Sequence, residues 1–146
     1  MKAIRLIALA ACMAATLDAS AQEQEIRLFS HRGGRMEHDE NTLSAFQASY
    51  DAGYRGFETD IRMTRDGALV ITHDSSLERT TDGTGTVEEK TEAEIRQLAT
   101  KQGNKMMFLD ELLEFLKGKE GLYVEFEMKT KPEALYPEER LHAYCD

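Results

Sequence analysis

The chain has 146 residues, which is the length of one domain and enough to bury a hydrophobic core. Its 27 acidic and 18 basic residues give a formal net charge of −9. A surface this acidic repels nucleic acid and anionic membranes, so neither is expected as a partner, and any anionic substrate would need a metal ion or a few well-placed basic side chains to hold it.

The first 21 residues, Met1–Ala21, have the pattern of a secretory signal peptide. Lys2 and Arg5 precede an apolar run, and Ala19-Ser20-Ala21 supplies the small residues that a signal peptidase requires. The run is well short of the roughly 20 apolar residues that span a bilayer, so we expect export to the periplasm or the medium and no transmembrane anchor. A lipoprotein signal with Cys12 as the lipidated residue is the alternative, but only six apolar residues precede Cys12.

Removal of this segment would leave 16 basic and 26 acidic residues, a formal charge of −10. The second cysteine, Cys145, lies one residue from the C-terminus, so the mature chain is not expected to form an internal disulfide. An exported protein of this kind depends on packing alone for its stability.

Beyond residue 21, short apolar runs alternate with amphipathic runs. Asn41 or Thr42 caps the first predicted helix and Gly53 ends it, while Thr91 begins a capping box for the second. The predicted elements in chain order are a strand at Ile26–Ser30, a helix at Leu43–Tyr50, a strand at Gly56–Ile61, a turn at Arg65–Gly67, a strand at Ala68–Thr72, a loop at Asp74–Val87, helices at Thr91–Ala99 and Asp110–Lys117, a strand at Leu122–Met128 and a helix at Glu133–Tyr144.

Strands that alternate with helices predict a parallel sheet with crossover helices, the α/β class. Four strands are too few for a closed eight-stranded barrel of about 250 residues. We therefore expect an incomplete barrel with open edges at the first and fourth strands, where unpaired backbone groups favour self-association.

Two carboxylates on the second strand are candidate metal ligands. Glu58 and Asp60 alternate along the strand and so project from the same face, about 7 Å apart. They would repel each other unless a cation lay between them or water reached both, which leaves a metal site and a solvated edge as interpretations. Phe57 and Ile61 indicate a central strand. Oxygen ligands favour Ca²⁺, Mg²⁺ or Mn²⁺ over zinc.

The fourth strand carries a third candidate ligand. Glu125, Glu127 and Lys129 share one face, and Glu127 lies nearer the carboxyl end, where parallel α/β folds place their chemistry. A lone glutamate in such a strand is more often a surface residue. Lys129 changes this balance, because it would project into the same cavity as Glu127, and a positive charge there suits a phosphate.

Two histidines end the first and third strands. Phosphodiester cleavage needs one group that takes a proton from the nucleophile and another that gives one to the leaving oxygen, and histidine does both near neutral pH. An isolated histidine is more often a packed or exposed residue, but His31 and His73 both end strands. Arg32 could bind two phosphate oxygens. No role is assigned to His38 or His142.

Six short motifs occur in order along the chain, and each of them is weak alone. They are His31-Arg32-Gly33-Gly34, Glu40-Asn41-Thr42, Glu58-Thr59-Asp60, Thr64-Arg65-Asp66-Gly67 followed by His73-Asp74, the segment Arg79–Gly85, and Glu127-Met128-Lys129. Together, from about Leu28 to Lys129, they resemble the N-terminal half of the glycerophosphodiester phosphodiesterases, within the phospholipase-C-like phosphodiesterase superfamily.

The resemblance implies a TIM-type (β/α) barrel, of which residues 22–146 would form about the first half. It also implies hydrolysis of a small glycerophosphodiester to an alcohol and glycerol 3-phosphate with a divalent cation. The residues that it assigns are His31 and His73 to acid/base catalysis, Arg32 and Lys129 to the phosphate, Glu58, Asp60 and Glu127 to the metal, and Glu40 to supporting these groups or facing the glycerol.

The chain also departs from the pattern of this family. Asp39 stands where proline usually precedes Glu-Asn-Thr, Met107-Phe108 replaces Pro-Thr before a helix, and the second half of the barrel would be missing. Two other functions stay open. A sphingomyelinase D-like phospholipase would share the histidines and Glu-x-Asp but usually has disulfide-tied loops, and a truncated, non-catalytic remnant would keep the metal site without turnover.

Overall fold

The computed structural model describes residues 27–145, so the predicted signal peptide lies outside the described residues. The elements are strand β1 (Phe29–His31), helix α1 (Leu43–Asp51), strands β2 (Gly56–Met63) and β3 (Leu69–Ile71), helices α2 (Glu92–Ile95) and α3 (Leu109–Leu116), strand β4 (Tyr123–Met128) and helix α4 (Glu138–Cys145), with short 3-10 helices at Val87–Glu89 and Glu133–Leu135. Within this range no helix has the length and apolar character needed to cross a membrane.

Strand β2 is the centre of a four-stranded sheet. β1 pairs with it in parallel, with Phe29 opposite Gly56, and β4 pairs in parallel along the other side, with Asp60 opposite Glu127. β3 runs antiparallel to the last residues of β2. The predicted all-parallel sheet is therefore wrong for the third strand. Only residues 64–68 separate β2 from β3, and a parallel crossover needs a dozen or more, so the two strands form a hairpin.

Helices α1 and α3 cover one face of the sheet. Phe46 of α1 and Phe57 of β2 are both fully buried, and their rings meet edge to face at 5.6 Å. Leu112 of α3 lies in the same core cluster. Because side chains alternate along a strand, the burial of Phe57 and Ile61 against the helices leaves Glu58 and Asp60 on the opposite face.

The starts of α1 and α2 agree with the sequence, but the end of α2 does not. Thr42 is the N-cap of α1, and Thr91 forms the predicted capping box of α2. Helix α2 ends at Ile95 and not at Ala99, because Ala99 pairs instead with Lys105.

The predicted helix at Glu133–Tyr144 is interrupted. Tyr136 has a non-helical backbone and precedes Pro137, which disfavours the helical region for the residue before it. The segment therefore forms one 3-10 turn followed by α4. It still packs on β2, since the hydroxyl of buried Tyr144 donates to the carbonyl of Ile61.

Within residues 27–145, β1 and β4 each pair with β2 alone, so each has one free edge. β2 is buried along nearly its whole length, whereas most of β4 is exposed. The exposed large apolar side chains on and beside these two strands are Leu28, Phe29, Tyr123, Phe126 and Met128. The core therefore lies between β2 and the helices, and the outer strands are only partly covered.

Leu112 and Leu113 provide a matched test of which side of α3 faces the core. Leu112 is fully buried, whereas Leu113 is 51% exposed. We expect Leu112→Ala to lower the free energy of unfolding by about 2–5 kcal/mol, because it leaves a cavity in the core. Leu113→Ala should change it by less than about 1 kcal/mol. Urea unfolding followed by circular dichroism measures both, and equal losses would contradict this packing of α3.

Candidate active site

Three carboxylates meet on the face of the sheet opposite the helices. One oxygen each from Glu58, Asp60 and Glu127 lies within 4.8 Å of the other two. Glu58 and Asp60 share a face of β2, and Asp60 is directly opposite Glu127 on the parallel neighbour β4. The strand register therefore brings together the three residues predicted to bind a metal.

Asp60 is the most enclosed of the three and is fully buried. Its Oδ2 accepts a hydrogen bond of 3.0 Å from Nδ2 of Asn41 and lies 3.2 Å from Nε of Arg32. Its Oδ1 lies 3.2 Å from Nζ of Lys129 but accepts no hydrogen bond from the described residues. A buried carboxylate oxygen without a hydrogen bond, close to two other carboxylates, fits a hard divalent cation.

The electrostatics of Glu58 point the same way. Burial raises the pKa of Glu58, and the charge of Asp60 raises it further, against the hydrogen bond that the Arg32 backbone N–H donates to it. Crowding of like charges has this effect on a carboxylate, and a bound cation would relieve it. The donor set is thus suited to a metal in both chemistry and charge.

Lys129 adds a positive charge to the cluster. Its Nζ lies 2.6 Å from Oε1 of Glu127, and its backbone N–H donates to the carbonyl of Ile61. Burial lowers the pKa of Lys129, but the close contacts of its ammonium with the carboxylates of Glu127 and Asp60 outweigh burial and raise it. Lys129 therefore stays protonated in the space beside the carboxylates.

Arg32 lies in a tight loop after β1. Arg32 has a φ of 55°, and Gly33 continues the left-handed turn with a φ of 76°. A Cβ at Gly33 would lie 2.9 Å from that of Ala45 in α1, so only glycine fits there. The turn buries the Arg32 side chain, whose Nη1 donates to Oε1 of Glu40 at 3.1 Å. The predicted phosphate ligand thus contacts two carboxylates, those of Glu40 and Asp60.

His31 faces the same cluster from the end of β1. Its side chain is 50% exposed, and its Nε2 lies 3.6 Å from Oε2 of Glu58. Burial lowers the pKa of His31, and the positive charges of Arg32 and Arg35 lower it further. The neutral imidazole is therefore favoured near pH 7, and that form accepts protons.

His73 reaches the site through the β2–β3 hairpin. Because β3 runs back along β2, Thr72 pairs with Asp60 through a 3.0 Å backbone hydrogen bond. His73 follows Thr72 in the chain and is close enough to His31 for their charges to interact. His73 was expected at the end of a parallel strand. It instead follows the antiparallel strand β3, and the β2–β3 hairpin brings it to the site. Its Nδ1 lies 2.6 Å from Oδ1 of Asp74.

Arg79 and Asp74 belong to the site but are not among the residues predicted from the sequence. Nε of Arg79 donates to Oδ2 of Asp74, and its Nη1 and Nη2 donate to the two oxygens of Glu40 at 2.9 and 2.7 Å. Burial would raise the pKa of Asp74, but hydrogen bonds from Arg79 and His73 outweigh it and lower the pKa to about 2. The motif Arg79–Gly85 was the available signal, although it carried no assigned role.

Glu40 lies between two arginines. One of its oxygens accepts from both Arg32 and Arg79, and the other accepts from Arg79 alone. Hydrogen bonds from Arg79 lower the pKa of Glu40 more than burial raises it. Of the two expected roles of Glu40, this geometry favours support of the neighbouring side chains.

Asn41 is a further site residue outside the predicted set. Its Nδ2 donates to Asp60, and its Oδ1 accepts from the Thr59 hydroxyl at 3.1 Å. Asn41 has a φ of 57°, a left-handed conformation that asparagine tolerates. The sequence offered it as a helix cap and as part of the Glu40-Asn41-Thr42 motif, without a role of its own in the site. In the structure Thr42 caps α1 and Asn41 holds the metal-ligand candidate Asp60.

A buried ion pair fixes the segment that carries His73. Nε of Arg62 donates to the carbonyl of His73 at 2.9 Å, and its Nη1 donates to Oε1 of Glu88 at 2.7 Å. The Ser75 hydroxyl donates to the other oxygen of Glu88, and Tyr136 donates to the first. No sequence pattern pointed to this pair, because its members are far apart in the chain.

Comparison with known proteins identifies relatives of this arrangement. Residues 31–144 match the glycerophosphoryl diester phosphodiesterase family. A glycerophosphodiester phosphodiesterase of Caldanaerobacter subterraneus subsp. tengcongensis is 36% identical over 123 residues, which cover 78% of this chain and 50% of the relative. This chain thus spans about half the length of that curated relative.

Solved structures give the same result. A glycerophosphodiester phosphodiesterase from Agrobacterium tumefaciens superposes with a TM-score of 0.67 at 29% identity, over 82% of this chain and 62% of that one. An Oleispira antarctica phosphodiesterase in complex with the product sn-glycerol-3-phosphate gives 0.66 at 31% identity, over 71% and 44%. The structural relatives are TIM-barrel enzymes, so the expected incomplete TIM-type barrel is confirmed, apart from the direction of β3.

Proposed function

This chain belongs to the glycerophosphoryl diester phosphodiesterase family, and we propose that its site hydrolyses a glycerophosphodiester to an alcohol and glycerol 3-phosphate. The observation that carries the proposal is the convergence of Glu58, Asp60 and Glu127 beside His31, with His73 close enough to His31 for their charges to interact. The Oleispira relative in complex with sn-glycerol-3-phosphate supports the choice of substrate class.

We propose that Glu58, Asp60 and Glu127 hold a divalent cation, Ca²⁺ or Mg²⁺, with Mn²⁺ as a third candidate. When bound, such an ion polarises a phosphoryl oxygen and lowers the cost of the charge that develops on it. Lys129 and Arg32 place two further positive charges beside the same carboxylates, where they offset the negative field that would otherwise repel a phosphodiester.

Acid/base catalysis falls to the two histidines. One takes the proton of the attacking hydroxyl or water as its oxygen bonds to phosphorus, and the other gives a proton to the alcohol oxygen as the phosphorus–oxygen bond breaks. His31 faces Glu58, and His73 is oriented by Asp74. Because Nδ1 of His73 is engaged by a carboxylate, Nε2 is the atom that exchanges a proton with substrate.

The metal assignment is tested by removal of single ligands. We expect Glu58→Gln and Asp60→Asn to weaken Ca²⁺ or Mg²⁺ binding at least about tenfold and to abolish turnover, because each removes a charged oxygen donor. Isothermal titration calorimetry and phosphate-ester release from glycerophosphocholine measure the two effects. Glu114→Gln, at a 75% exposed position on α3, is the matched control.

Full turnover in excess chelator would contradict the metal assignment. Metal binding by the wild-type chain without turnover on any glycerophosphodiester would instead support a non-catalytic role.

The histidines are tested in the same assay. We expect His31→Ala and His73→Ala each to lower kcat by about 10² to 10⁴, the usual effect of losing a general acid or base. The midpoint of urea unfolding should barely move. His142→Ala, at a 74% exposed position, should behave like the wild type. A variant of His31 or His73 that keeps the wild-type kcat at every pH would show that the residue is structural.

We also propose that the 146-residue chain self-associates through the free edges of β1 and β4, where Phe29, Tyr123 and Phe126 are exposed. Self-association would cover the edge beside Glu127, and we expect little turnover from the monomer because an active site needs support on all sides. Export directed by Met1–Ala21 stays a prediction.

Size-exclusion chromatography with an assay of each fraction tests self-association. We expect turnover, where it occurs, in a fraction above monomer mass. Phe126→Lys should shift the chain toward the monomer, because a charge on an edge strand opposes further pairing. Met36→Lys, at a residue that is 84% exposed but outside the sheet, is the control. A soluble monomer as active as full-length relatives would overturn the proposal.

A further inference from the structure

The guanidinium of Arg79 connects two parts of the candidate site. Its Nε donates to Asp74, and its two terminal nitrogens form a fork on Glu40. Asp74 in turn binds Nδ1 of His73, and Glu40 binds Nη1 of Arg32. A single carboxylate therefore separates Arg79 from His73 and another separates it from Arg32, the phosphate-ligand candidate.

We propose that Arg79 is a positioning residue, which fixes the tautomer and orientation of His73 through Asp74 and the position of Arg32 through Glu40. The kinetic part of this proposal rests on the proposed function, whereas the structural part does not.

The contacts of Asp74 fix the tautomer of His73. An ionised carboxylate only accepts hydrogen bonds, so Nδ1 of His73 must carry the proton in the 2.6 Å contact. Nε2 is then left as the proton-accepting nitrogen. Arg79 holds the other oxygen of Asp74, so the carboxylate cannot rotate away from the ring without losing a charge-assisted hydrogen bond.

The planar guanidinium of Arg79 also holds Glu40, the partner of Arg32. Arg79 binds both oxygens of Glu40, which fixes the plane of that carboxylate. The same carboxylate receives Arg32, which lies 3.2 Å from Asp60. One planar group thus links the histidine on the hairpin to the arginine beside the metal-ligand candidates.

A simple surface ion pair would not account for this arrangement. The Arg79 side chain is 48% exposed, and exposed ion pairs add little to stability. The three directed contacts of Arg79 fix the orientation of Asp74 and Glu40. A lysine offers one point charge and cannot reach two carboxylates in this fixed fork, so Arg79→Lys keeps the charge and removes the positioning.

The test compares Arg79→Gln and Arg79→Lys with Arg96→Gln. Arg96 is a suitable control because it also lies near several carboxylates, those of Glu92, Asp110 and Glu111, none of which belongs to the candidate site. Proton–nitrogen NMR spectra of the imidazole rings report the tautomer of each histidine without any substrate. The spectrum of a His73→Gln variant identifies the signals of His73 among the four histidines.

We expect His73 of the wild type and of Arg96→Gln to be in the Nδ1–H form. In both Arg79 variants its ring nitrogens should shift toward the average of the two tautomers. In the most active fraction, kcat should fall by about 10- to 100-fold with KM within about twofold, since a misplaced catalytic group affects the chemical step. Circular dichroism identifies a variant that fails to fold, and Arg79→Lys, which keeps the charge, then carries the test.

Unchanged ring nitrogen shifts of His73 in both Arg79 variants would overturn the proposal. A raised KM with an unchanged kcat would also overturn it, because Arg79 would then contact the substrate directly. If the Nδ1–H form depends on Arg79 but the wild type cleaves no glycerophosphodiester, the positioning of His73 is supported and the proposed function fails.

Discussion

The buried carboxylate of Asp60 is the constraint on which the rest of the site depends. A charge at the centre of a sheet is costly unless charged and hydrogen-bonding groups surround it. Arg32, Asn41 and Lys129 supply these groups from the loop after β1, the start of α1 and the end of β4. The left-handed backbone at Arg32 and Asn41 allows both side chains to turn back toward β2. The loop conformations therefore stabilise the buried charge of Asp60, because they bring Arg32 and Asn41 next to it.

The β2–β3 hairpin brings His73 into the site. A parallel strand after β2 would have started at the far end of the sheet, whereas antiparallel β3 returns directly to the carboxylates and delivers His73. The ion pair between Arg62 and Glu88 then holds the backbone of His73, and Asp74 holds its ring. Backbone and side chain are thus fixed by separate contacts. These two sets of contacts together restrict the orientation of the His73 ring.

Local patterns predicted the parts of this site that depend on a strand period. Alternation along β2 placed Glu58 and Asp60 on one face, and alternation along β4 placed Glu127 on one face with Lys129, because the period of two is a property of each strand. The pairing of β2 with β4, which brings the two sets together, is not a local pattern. The direction of β3 follows from the connection of residues 64–68, which is too short for a parallel crossover. The contact of Arg79 with Glu40 spans 39 residues, and no local period encodes a pairing between two loops. Such contacts follow only once the sheet has brought the loops together.

The three carboxylates of the site differ in their exposure to water. The side chain of Asp60 is fully buried and that of Glu58 is 16% exposed, but that of Glu127 is 57% exposed. Charge interactions weaken as water enters, so of the three ligand candidates Glu127 would attract a cation least strongly. The neighbours of Asp60 are all in place within residues 27–145, whereas the surroundings of Glu127 depend on what covers the free edge of β4. Of the three carboxylate charges, that of Glu127 is therefore the one that a group covering the edge of β4 would strengthen most.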